Sequence, residues 1–79
     1  MPTVFREGEF RFYFFSREEE RKHIHVSSAN GEAKIWIEPK IEVANVVGLS
    51  MQDVNKILKL VKEKEKMINE YWNNHFTKS

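Results

Sequence analysis

Two histidines one residue apart, in His23-Ile24-His25, are the most chemically specific local feature of the chain. On a strand, residues i and i+2 share a face with Cα atoms about 6.6 Å apart, so both imidazoles point into the same space. Side chains that titrate near neutrality suit an acid/base pair or two metal ligands in that geometry. A closed zinc site needs further ligands. Glu32, Glu38, Glu42 and the distant His75 are scattered and supply no second cluster of ligand spacing. The pair is therefore read with no metal and no cofactor: a structural or binding role is the simpler reading, proton transfer the sharper one.

A larger constellation follows from strand parity. Residues 9–15 alternate, placing Phe10, Phe12 and Phe14 on one face and Arg11, Tyr13 and Phe15 on the other. If Ile24, Val26, Ala33, Ile35 and Ile37 share the first face, the second carries His23, His25, Lys34 and Trp36 as well. Rings interleaved with cations on an open sheet suit single-stranded nucleic acid, with bases stacking on the rings and phosphates meeting the cations. Arg11, Tyr13, Phe15, Lys34 and Trp36 are the nucleic-acid-binding candidates. Aromatics on both faces equally fit a sheet covered by a second layer, either another copy or a different protein.

The elements that must hold these residues are a β half, residues 3–47, and a helical half, residues 50–76, of a single domain spanning 1–79. Short strands are expected at Thr3–Arg6, around residues 9–15, at His23–Ser27, at Ala33–Glu38 and, irregularly, at Ile41–Val47. Asn30-Gly31 is a strong hairpin signal between the third and fourth. The charged run Ser16–Lys22 reads as a solvated loop. Gly48-Leu49-Ser50 announces a helix, with Ser50 as N-cap and Asp53 in its first turn. Val54, Ile57, Leu58, Val61, Ile68, Trp72 and Phe76 fall on one stripe of that helix. The expected fold is α+β, an antiparallel sheet of four to five strands packed by one long C-terminal helix. Such a helix, at 1.5 Å per residue, reaches roughly 40 Å, whereas a five-residue strand spans about 17 Å. Its far end, with Ile68, Tyr71, Trp72 and Phe76, thus either folds back on the sheet or meets a partner chain, and those four are the partner-interface candidates.

Composition bounds what remains. The chain has 79 residues with 32% charged and 41% hydrophobic side chains, few glycines and prolines, and a net charge of +1. Disordered and collagen-like classes fit poorly, and bulk charge nominates neither nucleic acid nor an anionic membrane. The absence of cysteine excludes disulfides and thiol nucleophiles. No stretch has the length and apolarity of a signal or a membrane span, which makes a cytoplasmic, non-membrane protein the expectation. A domain this small buries a marginal core, and a homo-oligomer or a small partner protein is a natural supplement.

Several blocks together resemble one family. They are Met1-Pro2-Thr3-Val4, the run Phe10-Arg11-Phe12-Tyr13-Phe14-Phe15-Ser16, His23-Ile24-His25-Val26, Gly31-Glu32-Ala33-Lys34-Ile35-Trp36, Gly48-Leu49-Ser50 and the Trp72…Phe76 ending. Their order and spacing are similar to the bacterial domain of unknown function 4160, over essentially the whole chain. The chain departs from that pattern at Arg21 and Lys22, where prolines are usual. The resemblance implies a small single-domain protein from gene pairs of toxin–antitoxin type, hence a partner protein and a regulatory or toxin role, with no catalytic residues to carry over. The expected function is thus a small intracellular interaction module, one component of such a pair. The rivals are a metal-independent ribonuclease toxin, with His23 and His25 as acid and base and Arg11 and Lys34 on the phosphate, and a non-catalytic binder of single-stranded RNA or DNA.

Overall fold

Five short segments of alternating apolar and polar residues are followed by a long amphipathic one, and the chain pairs them in order. In a computed structural model, which describes residues 3–14 and 21–76, the strands are β1 (Thr3–Glu7), β2 (Phe10–Tyr13), β3 (His23–Ser27), β4 (Glu32–Trp36) and β5 (Glu42–Val47). All neighbours are antiparallel, and the spatial order β1-β2-β3-β4-β5 is the chain order. Phe15 and most of the expected charged loop lie outside the described residues.

Turn chemistry fixes the hairpins. Gly8 takes a positive φ of 59° in the two-residue link between β1 and β2. The Asn30-Gly31 hairpin closes through Ser28 N–H to the Gly31 carbonyl, at 2.9 Å. Gly31 also backs directly onto Gly48: a Cβ on Gly31 would strike the Val47 carbonyl oxygen and the Gly48 backbone. Gly48 itself holds φ at +80°, with the Asn30 carbonyl oxygen where its own Cβ would stand.

Directly opposed residues of an antiparallel pair share a face. One row runs Phe12, Val26, Ala33 and Val46 across β2 to β5, and a second runs Ile24, Ile35 and Val43 across β3 to β5. These rows form the core face, with Phe12, Ile24, Val26 and Ile35 fully buried. Two irregularities keep the rows aligned: Val4 in β1 and Ala44 in β5 are each passed over in the register, as in a β-bulge. The extra residue Val4 is itself buried in the core cluster.

The helical half is two helices, α1 (Met51–Glu63) and α2 (Glu65–Phe76). Ser50 caps α1 as the sequence suggests, its hydroxyl accepting from Asp53 N–H at 3.1 Å. The α+β class is as expected, and the single long helix is corrected to a pair. Lys64 leaves helical geometry (φ −103°, ψ 15°) while its N–H still donates to the Leu60 carbonyl. Ile68 N–H in turn donates to the Lys64 carbonyl at 2.9 Å, so i→i−4 bonding runs through the interruption, and α2 buries Ile68 and Trp72. Val54, Ile57, Val61, Ile68 and Trp72 are all buried, and all but Val54 join the cluster that includes Phe12, Ile24 and Ile35. Trp72 meets the Phe14 ring edge-on at 5.2 Å. No helix among the described residues is long and apolar enough to cross a membrane.

Ile68 and Trp72 thus spend their apolar surface inside the chain, whereas Tyr71 is exposed. Trp72→Ala should cost about 3–5 kcal/mol of stability, the range for a large buried aromatic. Tyr71→Ala should stay within about 0.5 kcal/mol. Urea unfolding of the two variants checks this; equal losses would place the end of α2 off the sheet.

Candidate functional site

The register that builds the core dictates the other face. Tyr13 on β2, His25 on β3, Lys34 on β4 and Asn45 on β5 stand directly opposite one another and form one row across four strands. Arg11, Ser27, Glu32 and Val47 form the row on one side of it, and His23, Trp36 and Glu42 the row on the other. Tyr13, His25, Glu32, Lys34 and Asn45 line a shallow cavity of about 230 Å³ on this face. The sequence-derived grouping of Arg11, Tyr13, His23, His25, Lys34 and Trp36 is brought together here, and Phe15 lies outside the described residues.

Rings hold the cations in place. The Arg11 guanidinium sits 4.6 Å from the centre of the Tyr13 ring. Trp36 carries two cations, Arg21 at 4.0 Å and Lys34 at 4.6 Å. Arg21 is further fixed by donation from Nε to the Glu38 carbonyl at 2.8 Å and by an ion pair with Glu42 at 3.5 Å. Tyr13 stacks on His25 with ring centres 5.6 Å apart, and only 7% of its surface is exposed. Tyr13 and Trp36 therefore support cations rather than offering bare ring faces.

The two histidines part company. His23 is 1% exposed and enclosed by rings, with His25 at 5.0 Å and Trp36 and Trp72 each at 5.6 Å. Its Nδ1 lies 2.8 Å from the Arg21 carbonyl oxygen. A carbonyl only accepts, so Nδ1 carries the proton and donates. His23 is thereby a packing and hydrogen-bonding element that ties the start of β3 to Trp72 of α2. Lys22 reinforces the tie, its Nζ donating to the Asn69 side chain of α2 at 2.9 Å. His25 stands in the central row beside Tyr13 and Lys34 and is the less enclosed of the two, although its Nε2 is itself buried. Among the described residues no group of three or more His, Asp or Glu side chains is placed to hold a metal ion.

Three members of the site were not singled out from sequence. Glu32 lies two residues before Lys34 on the same strand, so parity already carried that signal. Arg21 was noted only as a departure from the family pattern. Asn45 reaches the row only because Ala44 is passed over in the register, and local sequence carries no sign of that.

Burial raises the Tyr13 phenol above its ordinary value of 10.0; the Glu32 carboxylate raises it further, and Arg11 opposes both. The folded chain thus holds this proton more tightly than the unfolded chain does. The resulting stability is complete below pH 10 and is lost as pH rises through the folded value. Glu32→Gln should lower the midpoint of Tyr13 ionisation, followed as phenolate absorbance in a Tyr71→Phe background, and Arg11→Ala should raise it. Midpoints that ignore both changes would remove Tyr13 from this electrostatic setting.

A family model described as Domain of unknown function (DUF4160) matches residues 9–73, a span that contains every residue of this face from Arg11 to Val47. No curated protein and no solved structure matches the chain.

Proposed function

The chain belongs to the family described as Domain of unknown function (DUF4160), and we propose on that premise that it is a small intracellular binding module whose polar sheet face contacts single-stranded RNA. In this reading it is one component of a toxin–antitoxin-like pair and works beside a small partner protein, as the gene pairing implied by the family resemblance suggests. The observation that carries the RNA contact is the cross-strand row Tyr13, His25, Lys34 and Asn45, flanked by ring-supported Arg11 and Arg21.

The chemistry follows from that row. Arg11, Arg21 and Lys34 present cations whose positions are set by rings, so little side-chain freedom is lost when a phosphate docks. A guanidinium lying on a ring offers its own outer plane to an unstacked base, which replaces the direct stacking on Tyr13 and Trp36 expected from sequence. Asn45, exposed in the same row, has a donor and an acceptor for base edges. Glu32 and Glu42 on the same face temper the positive field, which fits discrimination among strands better than indiscriminate adhesion.

A second reading, RNA cleavage, is favoured by the position of His25 between Tyr13 and Lys34. With His23 enclosed, proton transfer would fall to His25 and would require its buried Nε2 to be uncovered, while Lys34 and Arg11 would hold the phosphate. Fluorescence anisotropy with a labelled single-stranded RNA tests the first reading. Lys34→Ala and Arg11→Ala should each weaken binding for every sequence tried and reduce the slope of log affinity against log salt by about 0.7. Absence of binding at low salt would overturn the RNA reading. For the second, growth arrest on expression should vanish with His25→Ala while far-UV circular dichroism is unchanged; equal toxicity of that variant would eliminate cleavage.

A further inference from the structure

The described residues leave four large hydrophobic side chains exposed, and three of them lie on β5 or at the start of α1: Val43 at 37%, Val47 at 55% and Met51 at 73%. The fourth, Tyr71, is on α2. β5 is an edge strand, and among the described residues no strand pairs with its outer side. Edge strands are ordinarily blunted by charge, proline or a bulge. β1, the opposite edge, follows that rule, with exposed Thr3, Arg6 and Glu7 and an irregularity at Val4. β5 has an irregularity of its own at Ala44, but its sequence, Glu-Val-Ala-Asn-Val-Val, carries one charge, at its first residue.

We propose that β5 is a dimerisation edge that pairs antiparallel with β5 of a second copy of this chain. The occupant follows from the strand's own pattern. Opposed residues of an antiparallel pair must lie on the same face. In β5, Val43 and Val46 belong to the core-side rows, while Glu42, Asn45 and Val47 belong to the polar-side rows, because Ala44 is passed over. Self-pairing centred between Ala44 and Asn45 sets Val43 against Val46 and Glu42 against Val47, each couple on one face. A shift of one residue either way sets Val46 against Glu42 or Val43 against Val47, which lie on different faces. The same irregularity that aligns β5 with β4 thus makes β5 complementary to itself.

Charge agrees with that register. The two Glu42 residues fall at opposite ends of the paired segment, about 17 Å apart, and each faces a valine. A two-fold axis perpendicular to the sheet would give ten continuous strands, with both helix pairs on one side and both polar rows on the other. Two copies also supply apolar contact that a lone domain of this size lacks. The inference does not depend on what the polar face binds.

Sedimentation equilibrium over a concentration series tests it. The wild-type chain should approach twice 9.5 kDa. Val47→Glu would place a carboxylate against Glu42 at both ends, besides the Glu32 it already faces within its own chain, and should weaken the dimer about tenfold or more. Val47→Lys would face Glu42 with an opposite charge and should leave the dimer at least as tight. Because Val47 is half-exposed, both variants should keep the wild-type far-UV circular dichroism. A wild-type chain that stays at 9.5 kDa at every concentration, including one that gains mass only with a different protein, would overturn the proposal. So would a Val47→Glu dimer of unchanged affinity, loss with Val47→Lys as great as with Val47→Glu, or dissociation by Tyr71→Lys instead.

Discussion

Register is the constraint on which the rest of this molecule depends. Side chains alternate across a strand, so slipping any one strand by a single residue would exchange its core and surface sets. Here such a slip would drive Tyr13, His25 or Lys34 under the helices and put Phe12, Ile24 or Ile35 into water. The apolar rows are the energetically dominant ones, at about 25 cal/mol for each Å² removed from solvent. They hold the register, and the polar row inherits its alignment from them. The candidate site costs the fold little, because it is the reverse side of a core that must form anyway.

Trp72 is where the two faces come closest to one another. It closes the core against Phe14 and also reaches His23, a residue whose cross-strand partner Trp36 belongs to the polar side. His23 is drawn into the scaffold as a result, with its proton committed to a backbone carbonyl. Next to it, cations laid over rings give the polar face fixed charge without deep burial, where isolated ion pairs on a surface would contribute little.

Much of this was legible in the residues. Alternation located the strands, Asn30-Gly31 located the central hairpin, and Ser50 with Asp53 located the helix start, because each is a local rule that nothing tertiary overrides. What was illegible depends on contacts between distant segments. The interruption at Lys64 has no proline or glycine to mark it in the local sequence. The enclosure of His23 needs Trp72, 49 residues away. The irregularities at Val4 and Ala44 reflect alignment with neighbouring strands, and without the second Asn45 would not reach the polar row. Of the stripe expected from Val54 to Phe76, Val54, Ile57, Val61, Ile68 and Trp72 are buried, while its alternative destinations, this chain or another, are separated only by the fold.

A sheet laid down in chain order has a consequence for the entropy of its assembly. Every strand pairs with its sequence neighbour, and the longest connecting link is residues 14–22. Joining Trp72 to Phe14 instead closes a loop of 58 of the 79 residues, which by the logarithmic growth of closure entropy costs about 1.6 kcal/mol more than the longest of those links. Contacts of small sequence separation are the quicker to gain. Ranked by loop length alone, the meander precedes its cover, and the form it passes through carries a sheet whose phenylalanine face is still wet.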